Sequence, residues 1–186
     1  MTPERDDDQL AFRPMAHEDL PHLRAWLEAP HVAEWWGSAT ATIDRVEAGF
    51  SERLDGDLQG AHWIVEADGR PVGFLQWHRL GDEPDWYPDV TIPAGVVGID
   101  MAIGDPSLIG CGLGRRVLLE FVHHVVRTRA PDSTEVWIDP NSRNERAMRA
   151  FRAAGFADTG IDLPDPRRPG EARRLMKLVW AGPTFR

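Results

Sequence analysis

Residues 98–116 read Gly98-Ile-Asp-Met-Ala-Ile-Gly-Asp-Pro-Ser-Leu-Ile-Gly-Cys-Gly-Leu-Gly-Arg-Arg116, and this stretch decides the fold. Its first part completes the run Val96 to Ile103, which is apolar and β-branched except around Gly98 and Asp100. Such a run is typical of a central strand buried on both faces. Its second part carries glycines at alternate positions and opens a stripe of apolar residues four apart (Leu113, Val117, Phe121 and Val125). The stretch therefore predicts a buried strand, a glycine-rich turn and an amphipathic helix.

The glycine-rich turn, Gly110 to Gly114, is a candidate anion site. N–H groups and the dipole at a helix N-terminus favour negative charge, and glycine lets a diphosphate approach the backbone closely. A Walker A loop would end in Gly-Lys-Ser/Thr, whereas Gly114 is followed by Arg115 and Arg116. A dinucleotide fingerprint has the spacing G-x-G-x-x-G in the first βα unit, whereas this G-x-G-x-G lies past mid-chain. On the local pattern alone, a turn that binds no ligand remains an alternative.

Hairpins flank this unit on both sides. Ala61–Ala67 and Pro71–Trp77 are β-rich runs joined by Asp68-Gly69, and Phe156–Ile161 and Arg173–Trp180 are the last two strands. The central strand–helix–strand order implies parallel neighbours, while the hairpins imply antiparallel flanks. We therefore expect an α/β protein with a mixed sheet and helices on its faces. The other expected elements are a short edge strand at Phe12–Met15, helices at His17–Glu28 and His31–Trp36, a helical piece around Ile43 to Phe50 that ends near Gly56, a loop at 81–95, a strand at Thr134–Ile138 and a helix from Asn141 to Ala154.

Composition narrows the class of protein. The 186 residues carry 21 basic and 30 acidic side chains, a net charge of −9, which argues against a nucleic-acid partner and suits a cationic ligand. The single cysteine, Cys111, excludes a disulfide framework and a cysteine-rich zinc site. No apolar run approaches the ~20 residues of a membrane span. We expect a cytoplasmic protein, with a loosely ordered acidic tail at 1–10 and a single domain at 11–181.

Two segments resemble motifs of the GCN5-related N-acetyltransferases (GNAT). Ile109 to Gly114 is similar to that family's acetyl-CoA diphosphate loop, Gln/Arg-x-x-Gly-x-Gly/Ala. Asn144 to Phe156 is similar to its second motif, Asn-x-x-Ala-x-x-x-Tyr-x-x-x-Gly-Phe. Two positions depart from the pattern: Ile109 replaces the first Gln or Arg, and Phe151 replaces the tyrosine credited with protonating the leaving thiolate.

The resemblance implies the GNAT fold, a mixed, mostly antiparallel sheet of six to seven strands, flanked by helices and splayed at the central strand. It implies acetyl-CoA as the acyl donor. We expect no metal, because the adjacent His123 and His124 cannot present both rings to one ion from a single helix face. The residues expected to bind the donor are Met101, Ala102, Ile103, Gly110, Cys111, Gly112, Leu113, Gly114, Arg115 and Asn144.

Within this family, the chain most resembles the bacterial aminoglycoside 6'-N-acetyltransferases over nearly its whole length. The likeness includes His31–Gly37, Asp85-Trp86-Tyr87, Gly98–Asp100 and Asp139-Pro140. It implies that Asp100 is the active-site aspartate, and that Asp85 and Asp139 contact further ammonium groups of the substrate.

The residue types suit such an acceptor. A polycationic amino sugar favours several carboxylates, and its rings pack on aromatic faces, for which Trp35, Trp36 and Trp86 are candidates. Asp100 lies inside an apolar strand, where an unpaired carboxylate costs several kcal/mol, so a salt bridge to an arginine is the alternative to a catalytic role.

Two other functions stay open. One is a siderophore-type N6-hydroxylysine acyltransferase, although its central strand resembles Gly-Leu-His where this chain has Asp100 at the third position. The other is a catalytically silent module that binds CoA or a drug, which Ile109 and Phe151 keep open. The expected partners are acetyl-CoA and a cationic small-molecule amine, with no membrane and with the chain a monomer or a homodimer.

Overall fold

The computed structural model describes residues 9–36, 44, 48–50, 54, 62–82 and 84–180. The strands are β1 Leu10–Pro14, β2 His62–Ala67, β3 Arg70–Arg79, β4 Val97–Ile103, β5 Glu135–Ile138, β6 Ala157–Pro164 and β7 Ala172–Val179. The α-helices bounded within these residues are α1 Leu20–Glu28, α2 Pro30–Ala33, α3 Leu113–Phe121, α4 Arg127–Arg129 and α5 Glu145–Ala153. A π-helical segment, Val122–Val126, joins α3 to α4.

Over the described residues, the strands form one seven-stranded sheet in the order β1-β2-β3-β4-β5-β7-β6. The hairpins β2–β3 and β6–β7 are antiparallel, as is the β5–β7 pair, whereas β4 and β5 are parallel. Asp68-Gly69 makes the β2–β3 turn with both residues at positive φ, as a tight hairpin requires. The predicted mixed, mostly antiparallel sheet is present.

The central strand leaves its parallel neighbour early. In the described residues, the β4–β5 pairing consists of Val97 with Val136 and Gly98 with Trp137. β4 continues for five more residues to Ile103, beyond this pairing. The sheet is therefore splayed at the central strand, as expected, and Asp100 lies just past the last paired position.

The chain divides into two compact units. Unit 1 contains Met1–Gln76 and Met101–Val117, and unit 2 contains Trp77–Asp100 and Leu118–Arg186. Unit 1 has a core cluster of Met15, Leu23, Trp26, Leu27, Val32, Phe50, Ile64 and Phe74. Unit 2 has one of Leu80, Tyr87, Val96, Trp137, Leu163 and Leu175. The expected single domain at 11–181 and loose tail at 1–10 stay predictions, and residues 1–8 and 181 lie outside the described residues.

Several element boundaries differ from the expected ones. The helix predicted from Asn141 begins at Glu145, because Asn144 is its N-cap and accepts a hydrogen bond from the Ala147 N–H at 3.0 Å. Asn141 instead accepts from the Arg143 N–H in a side-chain turn. The helix predicted at His31–Trp36 ends earlier, at Ala33. The piece predicted around Ile43 to Phe50 falls mostly outside the described residues.

Candidate active site

The glycine-rich turn lies in unit 1, directly before α3. Gly110 and Gly112 have φ of 82° and 83°, the left-handed region that favours glycine. Cys111 between them is buried, and its Sγ donates to the Leu108 carbonyl at 2.9 Å. Among the described residues, leaving out Gly110 and its two chain neighbours, no atom lies within 4 Å of a Cβ built on Gly110. The expected donor-binding residues Gly110 to Arg115 therefore lie together, with open space beside the backbone and with the first N–H groups of α3 next to it.

The strand residues Met101, Ala102 and Ile103 are half-buried on β4. In unit 1 the end of this strand is held on both sides of Ile103: the Gly104 N–H donates to Val72 O at 2.8 Å, and His31 Nε2 lies 3.1 Å from Ile103 O. β3 approaches closely through Gly73, where a Cβ would lie 2.3 Å from Ala102 O.

Trp35 and Trp36, the two aromatic residues expected to bind substrate in unit 1, are both half-buried. The Trp36 ring packs edge-on against Phe74, with centroids 4.7 Å apart, and belongs to the border of the unit 1 core. Much of Trp36 therefore serves packing, and the structure adds no substrate-specific feature to Trp35.

The second motif forms α5 in unit 2. The Asn144 side-chain oxygen caps this helix, so its first role is structural. Phe151, at the position of the family's tyrosine, is buried and lies 6.3 Å from the Phe156 ring. No phenol is present at this position to protonate a leaving group.

The most elaborate part of unit 2 surrounds Asp139, which follows β5. Its carboxylate is almost fully buried and forms an ion pair with Arg173, itself 4% exposed. The Trp86 Nε1–H donates to Asp139 Oδ2 at 3.0 Å, and the Tyr87 hydroxyl donates to Oδ1 at 3.4 Å. Asp139, Arg173, Tyr87 and the half-buried Trp86 form a connected network, which we call the acid cluster.

The electrostatics of the acid cluster extend to Asp100. Burial raises the pKa of the Asp139 carboxyl to about 6; the charge of Arg173 opposes this shift, and the charge of Asp100 adds to it. Burial, and then the charges of Asp139 and Asp100, raise the pKa of Tyr87, so its phenol stays protonated and donates. Asp100 is half-buried and thus contributes negative potential to the cluster from β4.

Asp85 and Trp86 lie on the short 3-10 turn Pro84–Trp86 between β3 and β4. Asp85 is exposed, and Trp86 is half-buried. Two guanidinium groups lie over the Trp86 ring, that of Arg173 at 4.1 Å and that of Arg167 at 4.6 Å from its centroid. The structure therefore brings Asp85, Trp86, Asp100 and Asp139 into one unit.

Arg173 and Tyr87 were not expected as site residues. Arg173 occupies the same face of β7 as buried Leu175, two residues on. A charged residue at an inward-facing position of a strand needs a buried counter-ion, and this alternation is the signal that could have found it. Across the ranges that the structure describes, no group of three or more His, Cys, Asp or Glu side chains could hold a metal ion. The same ranges contain no helix long and apolar enough to cross a membrane.

Comparison with known proteins gives consistent matches. The model of the acetyltransferase (GNAT) domain matches residues 15–161. The type 1 aminoglycoside N(6')-acetyltransferases of Klebsiella pneumoniae and Serratia marcescens are each 31% identical over 163 residues, covering 86% of this chain and 80% of theirs.

Solved structures agree. AAC(6')-Ib in complex with paromomycin and acetyl-CoA superposes with a TM-score of 0.78 and 27% identity, covering 92% of this chain and 94% of that one. AAC(6')-Ib with coenzyme A and kanamycin gives a TM-score of 0.76 and 26% identity, covering 92% and 95%. These matches confirm the predicted fold class and the predicted family resemblance.

Proposed function

This chain belongs to the GNAT acetyltransferase family, and we propose that it transfers the acetyl group of acetyl-CoA to the 6'-amine of an aminoglycoside. The observation that carries the proposal is the 31% identity to aminoglycoside N(6')-acetyltransferases over 86% of the chain. The family match at 15–161 includes the glycine-rich turn together with Asp85, Asp100 and Asp139. We place the reaction in the cytoplasm, where acetyl-CoA is made. For the oligomeric state, a monomer and a homodimer both stay open.

Acetyl-CoA fits the glycine-rich turn as the donor substrate. Its diphosphate carries negative charge, and the backbone N–H groups at the start of α3 can donate hydrogen bonds to its oxygens, with Arg115 next to them in the chain. This explains why Ile109 is tolerated in place of the usual Gln or Arg, since it removes one side-chain contact and leaves the backbone donors. The positive φ of Gly110 and Gly112 supports this use of the backbone.

The reaction joins an amine to a thioester carbonyl. The amine nitrogen forms a bond to the carbonyl carbon, an N–H on the Met101 to Ile103 segment stabilises the developing oxyanion, and the carbon–sulfur bond then breaks. Asp100 directly precedes Met101 in β4, so the acid and the oxyanion donors share one strand. Asp100 orients the substrate ammonium and accepts one proton from it, directly or through water, before the amine attacks. The second proton lost from the nitrogen goes to solvent as the carbon–sulfur bond breaks.

Phe151 decides how the thiolate leaves. Because a phenyl ring has no proton to give, CoA departs as the thiolate, which a thiol pKa of ~8.5 allows near neutral pH. The same residue favours a second candidate, a module that binds CoA or the drug without turnover.

A thiol-release assay with a substrate panel tests the proposal. The purified chain receives acetyl-CoA with kanamycin, with N6-hydroxylysine, or with no acceptor, and the acetylated position is located by NMR. We expect kanamycin-dependent thiol release and a 6'-acetyl product, with a KM for kanamycin that rises with salt because carboxylates bind the polycation. Release with hydroxylysine alone would favour the siderophore-type enzyme. Binding of CoA or kanamycin without release would favour the silent module.

A further inference from the structure

Arg173 is a cation enclosed by unit 2. It is 4% exposed and lies at an inward position of β7, beside the cluster that contains Leu175. An arginine cannot neutralise itself by losing its proton, so its burial requires a counter-ion and hydrogen-bond acceptors.

The guanidinium of Arg173 contacts three segments of unit 2. It pairs with Asp139 after β5, donates through Nη2 to Trp86 O at 2.7 Å, and donates to Pro164 O at 3.2 Å from Nε and 3.1 Å from Nη2. Its plane also lies 4.1 Å from the centroid of the Trp86 ring. One fork-shaped cation therefore joins the end of β5, the end of β6 and the turn Pro84–Trp86.

These contacts occupy both carboxylate oxygens of Asp139. Oδ2 accepts from Arg173 and from Trp86 Nε1, and Oδ1 accepts from the Tyr87 hydroxyl. A carboxylate whose charge is balanced by a buried arginine attracts a substrate ammonium less than one facing water. Asp85 is exposed and immediately precedes Trp86, whose backbone and ring Arg173 both hold.

We propose that Arg173 is a positioning residue of the acceptor site: with Asp139 as its counter-ion it holds the turn that carries Asp85, so that Asp85 and Asp100, and not Asp139, bind the acceptor's ammonium groups. This inference rests on the proposed function. It reassigns Asp139 from a substrate contact, as the family resemblance implied, to part of the scaffold under that contact.

A purely structural role would predict a different outcome. An arginine that contributed only stability would, when replaced, lower the melting temperature and leave the KM values of the folded enzyme unchanged. A positioning role predicts a rise in the KM for the amine acceptor, with the KM for acetyl-CoA unchanged, because the contacts of Arg173 described above are with Asp139, Trp86 and Pro164.

The test compares Arg173→Lys with Arg174→Gln. The lysine variant keeps the charge beside Asp139 but cannot make the forked contacts to Trp86 O and Pro164 O. The control removes a neighbouring arginine that pairs with Asp158 and Asp162 at the surface of the β6–β7 hairpin. Kanamycin and acetyl-CoA kinetics are measured for each variant, together with amide hydrogen exchange of peptides that cover 84–90.

For Arg173→Lys we expect the KM for kanamycin to rise about tenfold or more. This is the size of effect expected when the hydrogen bonds of a charged group are lost. Exchange in 84–90 should become faster, while Arg174→Gln matches the parent in both measurements. Unchanged exchange at 84–90, or an unchanged KM for kanamycin, would overturn the proposal. The exchange measurement needs no turnover, so it still tests whether Arg173 holds the turn if the parent acetylates no aminoglycoside, a result that would count against the proposed function alone.

If Arg173→Lys does not fold, the double variant Asp139→Asn/Arg173→Met replaces it. Removing both charges avoids an unpaired buried ion, and such replacements are often tolerated. Faster exchange at 84–90 in this variant supports the proposal, and parent-like exchange contradicts it.

Discussion

The glycine-rich turn and the acid cluster are built in opposite ways. The turn offers backbone N–H groups, and its conformation depends on positive φ at Gly110 and Gly112. The acid cluster depends on side chains from distant parts of the chain, with Arg173 and Asp139 separated by 34 residues and Arg173 and Trp86 by 87. The first site is local in sequence, and the second exists only after folding.

This difference explains what each site tolerates. A backbone site accepts Ile109 and Cys111, because neither side chain is the binding group, but it does not accept a bulky or charged residue at a glycine. A side-chain network tolerates changes around it. Removing one of its buried charges is strongly destabilising, because the opposite charge stays buried without a counter-ion. The predictions below test these two kinds of dependence.

The largest expected effect comes from Asp100→Asn, which removes the negative charge of the Asp100 carboxylate and its ability to accept a proton. We expect kcat/KM for kanamycin to fall by about 10²–10⁴, the usual contribution of a positioned acid–base group. Asp162→Asn, which removes an exposed carboxylate from β6, is the control and should retain parent activity. Near-parent turnover of Asp100→Asn on every aminoglycoside tried would mean that the strand aspartate is a paired structural residue.

Gly112→Asp tests whether the diphosphate of acetyl-CoA binds at the backbone of the glycine-rich turn. A carboxylate in the turn repels the diphosphate, so the stabilisation by acetyl-CoA, ~2.7 kcal/mol at a hundredfold excess over Kd, should disappear from the thermal melt. Gly160→Asp is the matched control, because Gly160 also has positive φ, 75°, in an open position of β6. A full shift in Gly112→Asp would show that the diphosphate does not bind at this turn.

Asp139→Asn tests the charge balance of the acid cluster through pH. The pKa of Asp139 is raised to about 6, so the folded protein takes up a proton before the unfolded chain does. Its titration therefore contributes stability that is fully present below the unfolded pKa of ~3.8 and is lost as pH rises through about 6. Between pH 7 and pH 4, the parent should gain roughly 2–3 kcal/mol over Asp139→Asn in urea unfolding. A difference independent of pH would mean that Asp139 titrates normally.

The smallest effect is expected from Phe151→Tyr. If CoA leaves as the thiolate, restoring the phenol should change kcat by less than about twofold, since no proton is needed at that step. The added hydroxyl enters a buried site and should lower stability by roughly 1–3 kcal/mol, as overpacking does. A rise in kcat well beyond that range would show that departure of the thiolate limits the reaction in the parent.

The turn and the strand before it could be predicted from the sequence because their signals are local. Alternate glycines, a β-branched run and a four-residue apolar spacing each report on neighbouring residues, and β4, the turn and α3 lie where expected. The helix start at Glu145 was missed because Asn141 and Asn144 are both good turn and cap residues, and the choice between them depends on the pairing of Asn141 with Arg173.

The acid cluster could be predicted only in part. The sequence identified the acids, and it anticipated that a buried carboxylate would need an arginine. It raised that possibility for Asp100 and not for Asp139, where the structure shows a buried ion pair with Arg173. No local pattern says which of many arginines faces which acid. Alternation along β7 marks Arg173 as inward-facing, yet its partners on three other segments (Asp139, Trp86 and Pro164) depend on the folded sheet.

We propose that the glycine-rich turn binds acetyl-CoA and that Asp100 serves the amine acceptor. The most direct test is a calorimetric titration of acetyl-CoA into Asp100→Asn and Gly112→Asp. The account predicts that Asp100→Asn binds acetyl-CoA within about twofold of the parent, whereas Gly112→Asp shows no measurable binding up to about a hundredfold excess over the parent Kd. Loss of acetyl-CoA binding in Asp100→Asn, or parent-like binding in Gly112→Asp, would contradict the separation of a backbone donor site from a side-chain acceptor site.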